Sequence, residues 1–228
     1  MTPVSDRFRP VVALDVDGVM RIPAPRRGEL EAMRVDVTMS RDAYPRLFHR
    51  APRWDSDGTF TGTHFFSATG VEWVRSLVAR GVDARWCTTW QDYANTYFAP
   101  RLGLPSLPVI TGDPLPRHDT FVDWKIRNIA AVTRGRPVLW VDDHPWDDGL
   151  RYSHTPRALT EVRGIDPTVG ISARDVKAMD DWLTLASTPD GHTDLCRRWR
   201  RELARRRRNR PPGDRPDDPP PFWSALIV

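Results

Sequence analysis

The stretch "VVALDVDGVM", Val11–Met20, joins an unbroken apolar run to two aspartates set one residue apart and then a glycine. Val11–Leu14 is rich in β-branched residues and shows no polar alternation, the pattern of a strand covered on both faces. Asp15 and Asp17 therefore fall where the chain leaves the core. In a doubly wound sheet, ligands bind outside the carboxyl ends of the strands. Two carboxylates this close repel each other unless a cation lies between them. Taken alone, the same residues also suit an Asp-Gly turn with a capping Asp, so the remaining strand ends have to decide.

Similar runs recur along the chain. An amphipathic stretch, Val71 to Arg80, carries the capping-box pattern Thr69-x-x-Glu72 at its start and Gly81 at its end, and the strand "VDARWCTT" follows it. "LPVIT", Leu107 to Thr111, reads as a third strand. "RPVLWVDD", Arg136 to Asp143, reads as a fourth, preceded by a helix from about Val122 to Arg134 with Ile126, Ile129 and Ala130 on one face. A fifth, weaker strand lies near Leu159 to Val162, before a helix capped by Ser172-x-x-Asp175. Strands alternating with helices predict an α/β fold, a Rossmann-like parallel sheet with helices on both faces. Residues 19–67 do not fit that alternation. Within them "MRVDVTM" and "GTFTGTHFF" alternate like antiparallel strands, so this segment is expected to form an inserted β-rich flap after the first strand.

With 228 residues the chain is long enough for one main domain with a full core. We expect residues 1–190 to form that domain, residues 191–210 a basic amphipathic helix, and residues 211–228 a Pro-rich linker with the apolar end "FWSALIV". No apolar run approaches the length of a membrane helix and the start resembles no signal peptide, which leads us to expect a cytoplasmic protein. The two cysteines, Cys87 and Cys196, are too few and too far apart to suggest a disulfide framework or a zinc site. The formal charge of +4 is unevenly placed. Arg197–Arg210 holds nine Arg and one Glu, residues 211–228 carry a net −2, and residues 1–196 also sum to −2. Only two of the 34 basic residues are lysines, Lys125 and Lys177.

Thr88 and Thr89 end the strand "VDARWC", and Asp142 and Asp143 end "RPVLWV". Lys125 falls near the start of a helix, where the helix dipole disfavours a cation, so another group must hold it there. Hydroxyl, lysine and two aspartate pairs thus converge on one edge of the sheet. The set "VALDVDGV", "WCTT", Lys125 in "VDWKIR" and "LWVDD" resembles the four motifs of the haloacid dehalogenase-like hydrolase superfamily, over about residues 10–185. "TTWQDYAN", "LGLPSLPVI" and "WVDDH" are further similar to the small subfamily found beside RNA-repair modules in actinobacteria and phages. The resemblance implies a phosphatase that uses Mg²⁺ and a phospho-aspartate intermediate. Asp15 would be nucleophile and metal ligand. Asp17 would be acid and base and meet the metal through its main-chain carbonyl, Thr88 would hold a phosphoryl oxygen with Thr89 the lesser choice, and Lys125 would stabilise charge. Asp143 or Asp142 would complete the metal site, a doubled Asp leaving the register open.

The segment Arg41–Trp54 interleaves four Arg with Tyr44, Phe48 and Trp54, a composition that suits backbone neutralisation and base stacking. Arg46, Arg50 and Arg53 are the candidate substrate contacts there. The run Arg197–Arg210 presents a dense cationic face beside an apolar stripe of Leu195, Trp199 and Leu203. Nucleic acid is the commonest partner of such a face. The expected substrate is therefore a phosphorylated RNA or DNA end, met through the flap and the arginine run. A nucleotide or other small phosphate ester is the alternative, and a binding protein on an inactive scaffold ranks third.

Overall fold

A computed structural model describes residues 6–25, 32–43, 53–110, 121–145 and 159–208. In chain order the main elements are β1 (Val11–Leu14), β2 (Arg21–Ile22), β3 (Ala32–Ser40), β4 (Thr59–Ser67), α1 (Ala68–Ala79), β5 (Asp83–Trp86), α2 (Phe121–Thr133), β6 (Val138–Asp142), β7 (Thr160–Gly164), α3 (Ala173–Ala186) and α4 (Pro189–Arg208). Strands β5-β1-β6-β7 form one sheet in that order, every pair parallel. The chain goes from β1 to β5 on one side and then to β6 on the other, so the strand order reverses between β1 and β6. That gap is the topological switch point, where a crevice opens in sheets of this kind.

Side chains alternate across each strand, and β1 is buried on both faces because both are covered. Val12 and Leu14 pack with Trp86 and Val141 against Val71, Val74 and Leu77 of α1 and Met179 and Leu183 of α3. Val11 and Ala13 pack with Val138 and Trp140 against Val122, Ile126 and Ile129 of α2. This is the expected Rossmann-like α/β architecture. The flap is present as well: β3 and β4 pair antiparallel over their full length, and β2 adds to β4 to give a separate sheet ordered β2-β4-β3.

Three local expectations are corrected. The cap of α1 is Ser67, not the Thr69-x-x-Glu72 box: the Ser67 hydroxyl accepts from the Gly70 amide at 3.0 Å and donates to the Ile171 carbonyl at 2.8 Å. Ser67 also ends β4, so the helix begins as soon as the strand stops, and Thr69 lies exposed inside it. The described part of "LPVIT", residues 107–110, does not become a strand. It touches the sheet through a single parallel bridge between Val109 and Trp86, because Pro108 has no amide hydrogen with which to extend the ladder. The C-terminal helix begins at Pro189, ahead of residue 191. The box at Ser172 and Asp175 is formed as expected. Residues 209–228 lie outside the described residues.

Candidate active site

Strand pairing carries Asp15 into the crevice. Leu14 is level with Val141, the Asp15 amide donates to the Val141 carbonyl at 3.0 Å, and Asp142 ends the neighbouring strand. Two buried runs that stop at the same height thus bring their terminal carboxylates together. Lys125 arrives from α2, three residues after Val122 and four before Ile129, so it shares the face that packs on the sheet. Its Nζ donates to Asp15 Oδ2 at 2.5 Å and to Asp142 Oδ2 at 2.6 Å, and only 5% of the residue is exposed.

Asp142 is occupied from three sides. Besides Lys125, its Oδ2 accepts from Trp140 Nε1 at 3.0 Å, and its Oδ1 accepts from the His144 amide at 3.0 Å. Asp143 is half-buried and meets the His144 ring, Nδ1 to Oδ2 at 2.6 Å. It also lies flat against Gly18, whose φ of +68° suits glycine, and a Cβ at that position would come within 2.2 Å of Asp143 Oδ2. Carboxylate oxygens of Asp15, Asp142 and Asp143 all fall within 4.8 Å of one another.

Three carboxylates facing one ammonium leave this buried centre short of positive charge. The titration directions agree. Burial, then Asp142 and Asp17, push the Asp15 carboxyl up to about 7 against the pull of Lys125. Burial opposes the charge on Lys125, yet Asp15 and Asp142 together hold it above its ordinary value. Asp143 is also raised, by burial first, with His144 opposing. Burial is thus the leading cause for the two carboxyls, while the facing carboxylates are what hold the proton on Lys125. An all-oxygen donor set of this kind fits a hard divalent cation such as Mg²⁺.

Asp17 is not in that trio. Its Oδ1 accepts from Arg21 Nε at 2.5 Å and its Oδ2 from Trp90 Nε1 at 3.0 Å. The Arg21 guanidinium lies 5.6 Å from the centre of the Trp90 ring and donates to His64 Nδ1 at 3.3 Å. Since arginine cannot accept, His64 must offer a bare Nδ1 and carry its proton on Nε2. Burial, reinforced by Arg21, pushes His64 down to about 4. The three-stranded flap sheet thus reaches into the site through Arg21 on β2 and His64 on β4.

Thr88 follows β5, is fully buried, and accepts from the Trp90 amide at 3.3 Å, while Thr89 is half-buried. Arg53 is exposed. Arg46 and Arg50, with Tyr44 and Phe48, lie outside the described residues. Trp54 packs partly on the core and has Arg41 5.9 Å from its ring centre. Sequence reading passed over Arg21, His64, Trp90, Trp140 and His144. Only the spacing of Arg21 four residues after Asp17 and the tryptophan next to "WCTT" hinted at two of them. Compared with family models, with curated proteins and with solved structures, the chain matches none.

Proposed function

We propose that this chain is a Mg²⁺-dependent phosphoric monoester hydrolase working through a phospho-aspartate on Asp15, as its resemblance to the haloacid dehalogenase-like hydrolases implies. The observation that carries this reading is the charge imbalance at the switch point: three carboxylates within 4.8 Å of one another, against one buried lysine. Asp15 and Asp143 would hold the cation, with Asp142 second because Lys125, Trp140 and the His144 amide already use its oxygens. When bound, Mg²⁺ neutralises phosphate and carboxylates so that the two anions can approach.

In the first half-reaction an Asp15 oxygen forms a bond to phosphorus in line with the departing oxygen, and the bond to that oxygen breaks. Asp17 gives the leaving oxygen its proton, then takes one from the water that opens the acyl phosphate. Arg21 on Oδ1 and Trp90 on Oδ2 orient Asp17 for this and leave each oxygen a further lone pair, so the β2 end of the flap positions the acid. Lys125 offsets charge on the nucleophile and the transferred group, and Thr88 with neighbouring amides holds a phosphoryl oxygen.

Nucleic-acid ends are the favoured substrate because α4 displays arginines to solvent, Arg197, Arg198 and Arg205 having side-chain exposures of 57%, 65% and 71%. Two assays test the reading. Hydrolysis of an aryl phosphate should require Mg²⁺, stop on chelation, be inhibited by Ca²⁺ with its looser shell, and vanish in Asp15→Asn, which cannot form the acyl phosphate. Chelator-resistant turnover or an active Asn variant would overturn the mechanism. Phosphate release from an end-phosphorylated oligonucleotide should exceed that from mononucleotides. The reverse order would identify a small-molecule phosphatase.

A further inference from the structure

His64 lies on the inner face of the flap sheet, among apolar side chains. Its neighbours along that face of β4 are Phe60, Gly62 and Phe66, and Val35 stands opposite on β3. The ring meets Phe98 edge-on at 5.5 Å, and Phe98, in the helical turn Ala94–Phe98, also lies 4.7 Å from the Trp90 ring centre. Among the described residues the imidazole has one hydrogen-bond partner, Arg21 at 3.3 Å. We infer that His64 is a positioning residue that acts through Arg21 on the acid Asp17, and that it matters most for phosphate esters of aliphatic alcohols, whose leaving oxygen needs the proton. This rests on the phosphatase reading above.

Register brings the two residues together. Arg21 pairs with Phe66 across β2 and β4, and His64 lies two residues from Phe66 on the same face, within reach of a long side chain. Backbone bonds fix the other end. The Arg21 amide donates to the Val16 carbonyl at 2.7 Å and the Gly18 amide to the Arg21 carbonyl at 2.8 Å, so the turn that carries Asp17 closes on Arg21. The guanidinium then meets Asp17 through Nε at 2.5 Å, a contact about which it could still swing. Nη1 on His64 supplies a second point and the Trp90 face, 5.6 Å away, a third, which holds the planar fork in one orientation. Proton transfer depends on such placement, a positioned general acid contributing about 10²–10⁴-fold.

The state of the ring supports the assignment. With Nδ1 accepting from Arg21, the proton sits on Nε2, and that atom is buried without a hydrogen-bond partner among the described residues. This donor has lost water and gained no acceptor. Gly62 leaves room for the ring, since a Cβ there would lie 3.3 Å from Nε2. A leucine would occupy the same apolar face with no orphaned donor. Packing therefore does not account for a histidine here, and the bond to Arg21 does. Burial and Arg21 keep the ring neutral down to about pH 4 against the pull of Asp17 and Asp36, so the acceptor is present wherever the enzyme would work.

The test compares kcat/KM for para-nitrophenyl phosphate and benzyl phosphate in the presence of Mg²⁺. That parameter extends only through departure of the alcohol, so the later opening of the acyl phosphate does not enter. Nitrophenolate departs without a proton and the benzyl alkoxide does not. Their ratio therefore reads the acid, whereas a general weakening of the fold lowers both rates alike. His64→Leu should raise the preference for the nitrophenyl ester by about tenfold, part of what a general acid contributes. His64→Asn, whose Oδ1 falls where Nδ1 was, should return the preference to near its wild-type value. An unchanged ratio in His64→Leu, or a leucine-like ratio in His64→Asn, would overturn the inference. Ring-nitrogen NMR of the wild-type chain gives a second reading that needs neither turnover nor substitution. His64 should hold one tautomer, protonated on Nε2 with Nδ1 bare, and a proton on Nδ1 would overturn the inference while leaving the phosphatase reading in place. A wild type inactive on both esters would instead overturn the phosphatase reading, and this inference with it.

Discussion

Asp15 shows how one residue's role in chemistry opposes its role in folding. Its carboxyl is raised from an ordinary 3.8 to about 7, first by burial and then by Asp142 and Asp17. A carboxyl raised in the fold supports stability while it is protonated. Its contribution is therefore complete below about 3.8 and is lost as pH climbs through about 7. Asn at this position cannot ionise, and Lys125 keeps Asp142 as its partner. We predict that metal-free Asp15→Asn melts higher than metal-free wild type above pH 7, with the gap closing as pH falls toward 4. Melting curves with a chelator across that window check this, and a gap that does not change with pH would mean that Asp15 is not the strained group. Added Mg²⁺ should stabilise wild type more than the variant, since the cation relieves a repulsion that Asn has already removed.

Turns and strands decide which parts of the site a sequence reveals. β1, β5 and β6 were legible because unbroken apolar runs fix both burial and strand ends, and residues that close a buried parallel strand must lie at one edge. Lys125 was legible from its helical spacing and from its rarity. The Arg21–Asp17–Trp90 clamp was not, because Arg21 reaches the site only once β2 pairs with β4, a register set by contacts 44 or so residues away in the chain. The strand expected at Leu107–Thr111 failed on the missing amide of Pro108, and the cap of α1 shifted to a serine that serves β4 and α1 together. Gly18 is the turn on which the metal arrangement rests. Gly18→Ala should cost about 1–2 kcal/mol for the left-handed backbone. It should also push Asp143 from its place and raise the Mg²⁺ concentration needed for half-maximal turnover. A folded variant with the wild-type Mg²⁺ requirement would remove Asp143 from the ligand set. In the flap, His64 is lowered from 6.5 to about 4, so its contribution to stability is complete above 6.5 and is lost as pH falls toward 4. His64→Asn cannot ionise in this range and keeps an oxygen acceptor that Arg21 can use. Urea midpoints of that variant should fall less steeply than those of wild type between those two values, and parallel curves would assign the acid limb to other groups.

At the scale of the whole molecule, residues 1–196 carry a net charge of −2 and the stretch Arg197–Arg210 that follows adds +8. Helix α4 is anchored by Leu195 on the core and by His192 against Phe8, and none of the described helices is long and apolar enough to cross a membrane. Catalytic candidates all precede residue 150 and the arginine run follows residue 196, so docking can be altered without touching chemistry. Replacing Arg205–Arg208 with Gln keeps helix propensity and leaves Leu195 and Trp199 in place. If these four residues each neutralise one backbone phosphate of a single strand, wild-type binding should follow salt with a log-log slope steeper by about 3 than that of the quadruple Gln variant, at about 0.7 per phosphate. Aryl phosphate turnover should be the same in both, because Asp15, Lys125 and Asp142 take no part in that contact. Turnover of an end-phosphorylated oligonucleotide at low substrate should fall in the variant alone, and the difference should fade as salt rises, since screening removes from wild type the attraction that substitution removed from the variant. Equal slopes and equal oligonucleotide turnover would free the arginine run of any part in substrate capture, and the acidic centre would then be better matched to a small phosphate ester that needs no backbone contact.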